Sequence, residues 1–323
     1  MKGKETMDTE RLRDKFRGAL LGVAVGDALG APFEGMGVVS PADLKRLEEK
    51  PGPLRYTDDT HMTLGMAESL LERRGFDGEH MAITFARNYQ LEPWRGYGAG
   101  PPQIFHLLAQ GVPWDKAGGM LFDGTGSFGN GAAMRVAPTA LAYHSDIGNV
   151  ISFAAQSALI THAHEFGIEG AVMQACTIAY LIEWDAGEPL VAPLLLRLLD
   201  GLAQSPVYRH KLKRINTLLP RASSGEVIKE LGNGIAAHEA VPAALYSFLR
   251  NHGSFSKAVL YAISLGGDTD TIASMTGALS GAYLGESAIP ALWREEVEGA
   301  HRLRKLADAL TTLVDETNVK NLS

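Results

Sequence analysis

The chain has one cysteine, Cys176, in 323 residues. That excludes a disulfide framework, a cysteine-rich zinc module and an iron–sulfur cluster, and it makes a reducing compartment the expectation. Cys176 lies within an apolar helical run and reads as inert. Long hydrophobic runs are also missing. The longest, Gly18 to Phe33, is interrupted by Asp27 and carries Gly18, Gly22, Gly26 and Gly30, too broken for a span of about 20 mostly apolar residues. The charged N-terminus, MKGKETMDTERLRDKFRG, lacks the apolar centre of a secretory signal, so no membrane association and a cytoplasmic location are expected. There is no basic excess: Lys+Arg 30 stand against Asp+Glu 37, for a formal net charge of -7. Nucleic-acid binding through general electrostatics is therefore not expected, since phosphate contacts need clustered Lys and Arg. Proline- or serine-rich linkers and repeats of fixed period are absent. The simplest organisation is one domain over 1–323, with residues 1–12 a mobile N-terminus and a monomer as the default.

What is present is glycine, 36 residues of it, and helical periodicity. Phe16, Leu20, Val23 and Ala24 fall on one helix face, as do Met62, Met66, Ala67, Leu70 and Leu71. Ile151 to Leu159, Ile168 to Trp184, Leu190 to Leu202, Val241 to Leu249, Ala258 to Leu265 and Ile272 to Leu284 read likewise. Alternating strand patterns with hairpin signals are hard to find. The expected fold class is all-α: a single compact, orthogonal multi-helix domain with glycine-rich ligand-binding loops. Gly277 and Gly281 suit close helix packing.

Two helix starts carry more acid than a cap needs. Tyr56-Thr57-Asp58-Asp59-Thr60 precedes the Met62 helix, and Gly266-Gly267-Asp268-Thr269-Asp270-Thr271 precedes the Ile272 helix. Thr and Asp accept hydrogen bonds from free N–H groups at helix N-termini and suit the dipole there, but one residue suffices for that. Crowded like charges are costly unless a cation lies between them. Carboxylate and hydroxyl oxygens suit Mg²⁺ or Mn²⁺, and four carboxylates could bridge two ions. Zinc is the weaker reading: His162 and His164 sit two apart, which on a helix turns them away from each other, and no His-Glu-x-x-His occurs. Glu34, between Gly30 and Gly35 on a loop, is either solvated or catalytic. Asp27 shares the apolar face of its helix and reads as structural, in need of hydrogen-bond partners.

Gly124-Thr125-Gly126-Ser127-Phe128-Gly129 is a literal Gly-x-Gly-x-x-Gly, but no strand precedes it and no βαβ unit surrounds it, so a Rossmann site is excluded. The physical content survives: close glycines let main-chain N–H groups approach an anion, with Ser127 and Asn130 as added donors. Gly96-Tyr97-Gly98-Ala99-Gly100 repeats that offer. Phe122 and Phe128 suit either stacking on a planar base or core filling. His162 reads equally as a residue near a helix C-terminus or a ligand contact. Ser127 lacks the Gly-x-Ser-x-Gly context of an activated nucleophile.

Together these segments resemble the ADP-ribosylglycohydrolases, a metal-dependent all-α family. FRGALLGVAVGDALGAPFEG, YTDDT, RGYGAG, GSFGNGAAMRVAP, LITHA, GNGIAA and SLGGDTDTIASMTGALSGAYLG carry the resemblance, from about Phe16 to Gly285. RGYGAG, SFGNG and GNGIAA through SLGGDTDT are most similar to the family's serine-directed branch. The resemblance implies two divalent cations, Mg²⁺ first and Mn²⁺ second, held by Thr57, Asp58, Asp59, Asp268, Asp270 and Thr271. Glu34 would contact a metal in the closed form of its loop and act in acid–base catalysis, so that Glu34, Asp59 and Asp270 are the expected catalytic residues. Gly96, Phe122, Gly126, Ser127, Phe128, Gly129, Asn130, His162 and Ile235 would line the ADP-ribose groove. Phe128 stands where the serine-directed branch has Tyr, which keeps stacking and loses a hydroxyl contact. The implied reaction is hydrolysis of the O-glycosidic bond between ADP-ribose and an acceptor. Serine-linked ADP-ribose on a protein comes first, with O-acetyl-ADP-ribose, another small ADP-ribose conjugate or poly(ADP-ribose) as further substrates. Hydrolysis of N-linked ADP-ribosyl-arginine stays open, as does a non-catalytic ADP-ribose binder or crystallin-like protein.

Overall fold

Apolar periodicity locates the helix bodies, and polar caps locate their starts. The computed structural model describes residues 8–184, 189–219 and 221–322. Among these the chain forms eighteen α-helices and no strand, as the absence of alternating patterns implies. Seven helices frame the candidate site: α1 (Thr9–Gly30), α2 (Asp58–Arg73), α3 (Ile147–Leu159), α4 (Glu165–Glu183), α5 (Ala237–Arg250), α6 (Thr269–Leu284) and α7 (Ala300–Leu322). Most begin before the apolar pattern does. Asp146 caps α3 by accepting the Asn149 N–H, and His164 caps α4 by accepting the Phe166 N–H, so each gains a polar first turn that hydrophobic spacing cannot reveal. Of the segment 1–12 expected to be mobile, residues 8–12 are described: α1 runs from Thr9 behind the cap Asp8, and Leu12 is buried. Residues 1–7 of that expectation lie outside the described residues.

The antiparallel pair α1 and α6 forms the centre. Gly18, Gly22, Gly26 and Gly30 recur every four residues along α1 and face Gly281, Gly277, Ala273 and Thr269 of α6. A Cβ on Gly22 would stand 2.1 Å from the Gly277 carbonyl oxygen, and one on Gly277 would stand 2.0 Å from that of Gly22. The two backbones touch, a distance only glycine permits, and the contact is of the kind made by weak Cα–H···O bonds. At the far end the Thr269 hydroxyl donates to the Gly30 carbonyl at 2.9 Å. The close approach thereby sets the C-terminal turn of α1, with Asp27, beside the N-terminus of α6, with Asp268 and Asp270.

The surrounding helices hold this pair through polar ties. Gln174 of α4 donates to the Met275 carbonyl of α6 at 3.1 Å. The buried Lys15 ammonium caps the end of α4 through the Leu181, Ile182 and Trp184 carbonyls at 2.9, 2.8 and 2.9 Å. Arg17 of α1 grips Asp308 of α7 with two bonds of 2.7 Å. No helix among the described residues is long and apolar enough to cross a membrane.

Candidate active site

The acidic motifs of α2 and α6 meet, and capping accounts for only part of each. At α2, Thr57 does the capping by accepting the Asp59 N–H, which leaves the Asp58 and Asp59 carboxylates free. At α6, Asp268 occupies the cap position without a side-chain cap bond, while Asp270 accepts the Thr271 N–H at 2.9 Å. The Thr271 hydroxyl donates to Asp59 across the gap at 3.4 Å. Carboxylate oxygens of Glu34, Asp268 and Asp270 lie within 4.8 Å of one another. Asp27 stands behind the cluster, fully buried, and accepts from the Thr57 and Thr60 main-chain N–H groups at 3.0 and 3.1 Å and from the Thr60 hydroxyl at 2.6 Å. It has the structural role read from its helix face, and it orients the turn that bears Asp58 and Asp59.

Glu34 is exposed on a loop that the structure ties down. The Gly35 N–H donates to the Gly267 carbonyl and the Gly267 N–H returns to that of Met36, both at 2.8 Å. Gly266 and Gly267 have φ of +67° and +73°, and a Cβ on either would strike Gly37 or Asn233 oxygen at 2.4 or 2.1 Å, so this glycine pair lets three strands of chain converge on Asp268.

Electrostatics separates this cluster from an ordinary acidic surface. Burial, and then the charge of Asp27, pushes Asp58 up to about 7. Burial and the Asp268 charge push Asp270 up to about 9, and burial with the Asp27 charge carries Asp59 well above the carboxylate range. Burial raises all four aspartates, and the fully buried Arg135 guanidinium is close enough to feel the Asp58 charge. Among the described residues the Asp59 Oδ1 oxygen is buried without a hydrogen-bond partner, an expensive condition for a carboxylate unless a cation meets it. The donors are all oxygens, carboxylate and hydroxyl, which fits hard divalent cations and not zinc. Thr57, Asp58, Asp59, Asp268, Asp270 and Thr271, with Glu34 at the rim, are thus suited to hold such ions.

The glycine-rich loop abuts this cluster. The Asn130 side-chain amide donates to Asp268 in a short, buried contact, and the Asn130 N–H donates to the Ile235 carbonyl at 2.9 Å. Gly129 pairs with Ala236 in an isolated bridge, and the Ala237 N–H donates to the Phe128 carbonyl at 2.9 Å. Asn233 completes the strap: its carbonyl accepts the Asp268 N–H at 2.8 Å and its amide donates to the Leu265 carbonyl at 2.9 Å. Ser127 Oγ accepts the Gly129 N–H at 3.1 Å, and Gly126 takes φ of +73°. His162 lies beneath Gly129 and Gly131. Gly96 lies beside Thr57 and Asp58 on the other flank. Phe122, with φ of +53°, Phe128 and Ile235 present apolar surface to solvent, at 58%, 50% and 69% exposure. The structure therefore brings the expected residues from seven separate segments to one groove.

A family model described as ADP-ribosylglycohydrolase matches residues 8–320. The chain belongs to the ADP-ribosylglycohydrolase family. Among its relatives, the mouse (Mus musculus) protein named ADP-ribosylhydrolase ARH3 is 39% identical over 344 aligned residues, covering 94% of this chain and 93% of that protein. The Pseudomonas putida protein named ADP-ribosylarginine hydrolase Tri1 is 26% identical, covering 94% of this chain and 80% of that one. A solved structure titled ADP-ribosylglycohydrolase-related protein complex superposes with a TM-score of 0.77 at 29% identity, covering 94% of this chain and 99% of that one.

Within this glycohydrolase fold, sequence reasoning missed two supports of the groove and gave a third another role. Asn233 gave no signal beyond its place in GNGIAA, because its bonds go to residues more than thirty positions away. Arg135 is fully buried, an exception among arginines that composition cannot show. His164, expected as a weak zinc candidate, is instead the cap of α4 and packs its ring edge-on against Phe128, 5.8 Å between centroids.

Proposed function

We propose that the protein is a divalent-metal-dependent hydrolase that releases ADP-ribose from an oxygen-linked acceptor, serine-linked ADP-ribose foremost, with O-acetyl-ADP-ribose and poly(ADP-ribose) as further candidates. The observation that carries this reading is the convergence of Glu34, Asp268 and Asp270 within 4.8 Å at one end of a groove whose other components are glycine-rich loop and exposed aromatic rings. Family membership supports ADP-ribosylhydrolase chemistry, and the lower identity to Tri1, named an ADP-ribosylarginine hydrolase, than to ARH3 counts against the arginine linkage.

In this reading the loop from Gly126 to Asn130 and His162 bind the diphosphate, and Phe122 and Phe128 flank the adenine. The aspartates and threonines of the two helix starts hold two divalent cations, Mg²⁺ first, which when bound offset the site's negative charge, orient the distal ribose hydroxyls and position a water. Glu34 moves the proton. Burial and the nearby Asp268 charge raise its pKa, the direction that favours a carboxyl holding a proton for transfer. The bond that breaks joins the anomeric carbon of the distal ribose to the acceptor oxygen. The water oxygen bonds to that carbon, and its proton, relayed by Glu34, ends on the acceptor as a hydroxyl.

Incubation with serine-linked and arginine-linked ADP-ribosyl peptides, with Mg²⁺ and with EDTA, tests the reading. ADP-ribose released from the serine peptide alone, and only with Mg²⁺, is the expected result. Release from the arginine peptide alone would replace the acceptor assignment, undiminished release in EDTA would reject the metal dependence, and no release from either peptide would favour a binding protein.

A further inference from the structure

The link from α3 to α4 buries two polar side chains side by side. Thr161 is 1% exposed and His162 8%, and Thr161 Oγ1 lies 2.7 Å from His162 Nδ1. Among the described residues this is the Thr161 hydroxyl's only hydrogen bond. If Nδ1 carried the ring proton it would donate to Oγ1, and the hydroxyl's own hydrogen would be buried without an acceptor. If Nδ1 accepts, both groups are satisfied by one bond. The opposite ring edge meets the glycine-rich loop: a Cβ on Gly131 would stand 2.5 Å from His162 Cε1 and 2.8 Å from Nε2, and one on Gly129 would stand 3.3 Å from Nε2. No described residue bonds to Nε2, so this nitrogen is left facing the groove.

Arg135 fixes the frame around the ring. Fully buried, it donates to the Gly131 carbonyl just after the loop and to the Ser157 carbonyl in the last turn of α3, both at 3.0 Å, and lies over the Phe85 ring at 4.9 Å. It thus clamps the two segments between which the imidazole is held. Burial, followed by the Arg135 charge, pushes the His162 pKa down to about 3, which keeps the ring neutral and makes its tautomer the property that matters.

We infer that Thr161 is a positioning residue that holds His162 in the Nε2-protonated tautomer, so that a neutral imidazole presents an N–H donor to an anionic oxygen of the ligand in the glycine-rich groove. The identity of that ligand as ADP-ribose rests on the function proposed above. With Nδ1 protonated instead, the ring would turn a lone pair toward the diphosphate and repel it.

The test uses the full chain labelled with ¹⁵N-histidine. Long-range ¹H–¹⁵N correlation spectra distinguish the two neutral tautomers, and His162→Gln identifies the signals of interest. An Nε2-protonated pattern for wild-type His162 is expected, and an Nδ1-protonated one overturns the inference without any need for a Thr161 variant. Thr161→Val should then give a mixture of tautomers and weaken calorimetrically measured ADP-ribose binding about tenfold, the worth of one hydrogen bond, whereas Thr161→Ser should keep the wild-type tautomer and affinity. Wild-type affinity in Thr161→Val would overturn the positioning role. A wild-type chain that binds no ADP-ribose would overturn the ligand assignment instead, and the spectrum would still decide the tautomer.

Discussion

Glu34 and Asp270 hold carboxyl oxygens a few ångströms apart, yet their surroundings demand different things of them. Glu34 is exposed at the rim of the groove, where losing its charge costs the fold little. Glu34→Gln should therefore lower kcat by about 10²–10⁴, the usual worth of a positioned proton carrier, while calorimetry finds ADP-ribose affinity within a few-fold of wild type. Turnover at the wild-type rate would remove Glu34 from the mechanism. Asp270 is buried among like charges and pushed up to about 9, so in the absence of a cation it opposes folding. Asp270→Asn should abolish activity and weaken Mg²⁺ binding, yet its Tm in EDTA should equal or exceed that of wild type, since a repelled carboxylate has been neutralised. A large loss of Tm in EDTA would instead make Asp270 a structural residue.

At the scale of elements, the contact between α1 and α6 links packing to chemistry. The glycines at every fourth position of α1 let the two backbones touch, and the same contact sets Asp27 against the turn of Asp58 and Asp59 while Asp268 and Asp270 emerge beside it. Gly277→Ala would place a methyl 2.0 Å from the Gly22 carbonyl oxygen. Because both neighbours are backbone, neither can turn aside, and the helices must separate. A loss of about 1–3 kcal/mol is expected for such overpacking, read by urea denaturation, together with weaker Mg²⁺ binding by calorimetry. Gly201→Ala is the control: the site is helical with nothing within 4 Å of the added carbon, so stability should hold or rise by about 0.5–1 kcal/mol. Equal effects of the two substitutions would mean that the close approach is not what holds the site. The basic stretch Arg209 to Arg214 is an ordinary solvated helix face: Tyr208, Leu212 and Ile215 are buried, while Arg214 pairs with Glu230 at 2.8 Å.

For the molecule as a whole, the acidic cluster predicts how stability varies with pH. Asp27, Asp58 and Asp270 are raised to about 6, 7 and 9, so between the ordinary carboxylate range and these values the folded state holds protons that the unfolded state has released. Such groups favour the fold at low pH and lose that contribution as pH rises through their folded values. The metal-free chain should accordingly lose stability from these groups as pH climbs from about 4 to about 9. Mg²⁺ competes with the same protons, so the increase in Tm on adding it should be larger at pH 9 than at pH 6. Scanning calorimetry with EDTA or saturating Mg²⁺ checks this, and a Tm increase that does not change with pH would show that the cluster does not bind the ion.

The sequence by itself determined the helix bodies, because burial of an apolar stripe repeats every 3.6 residues and needs no knowledge of the partner surface. It also marked the two acidic helix starts, since local capping needs only one group at each. Tertiary structure alone decided that the starts belong to one site, because 209 residues separate Asp59 from Asp268 and only the meeting of α1 with α6 closes that distance. The Asn233 strap and the surroundings of His162 likewise depended on the fold, while the first turns of α3 and α4 escaped the apolar pattern. Caps and straps are hydrogen bonds to particular main-chain atoms, and a tautomer is set by which polar atoms burial leaves with a single partner. The caps are local bonds that hydrophobic spacing does not register, whereas the strap and the burial around His162 appear only when distant segments are brought together and water is removed from between them.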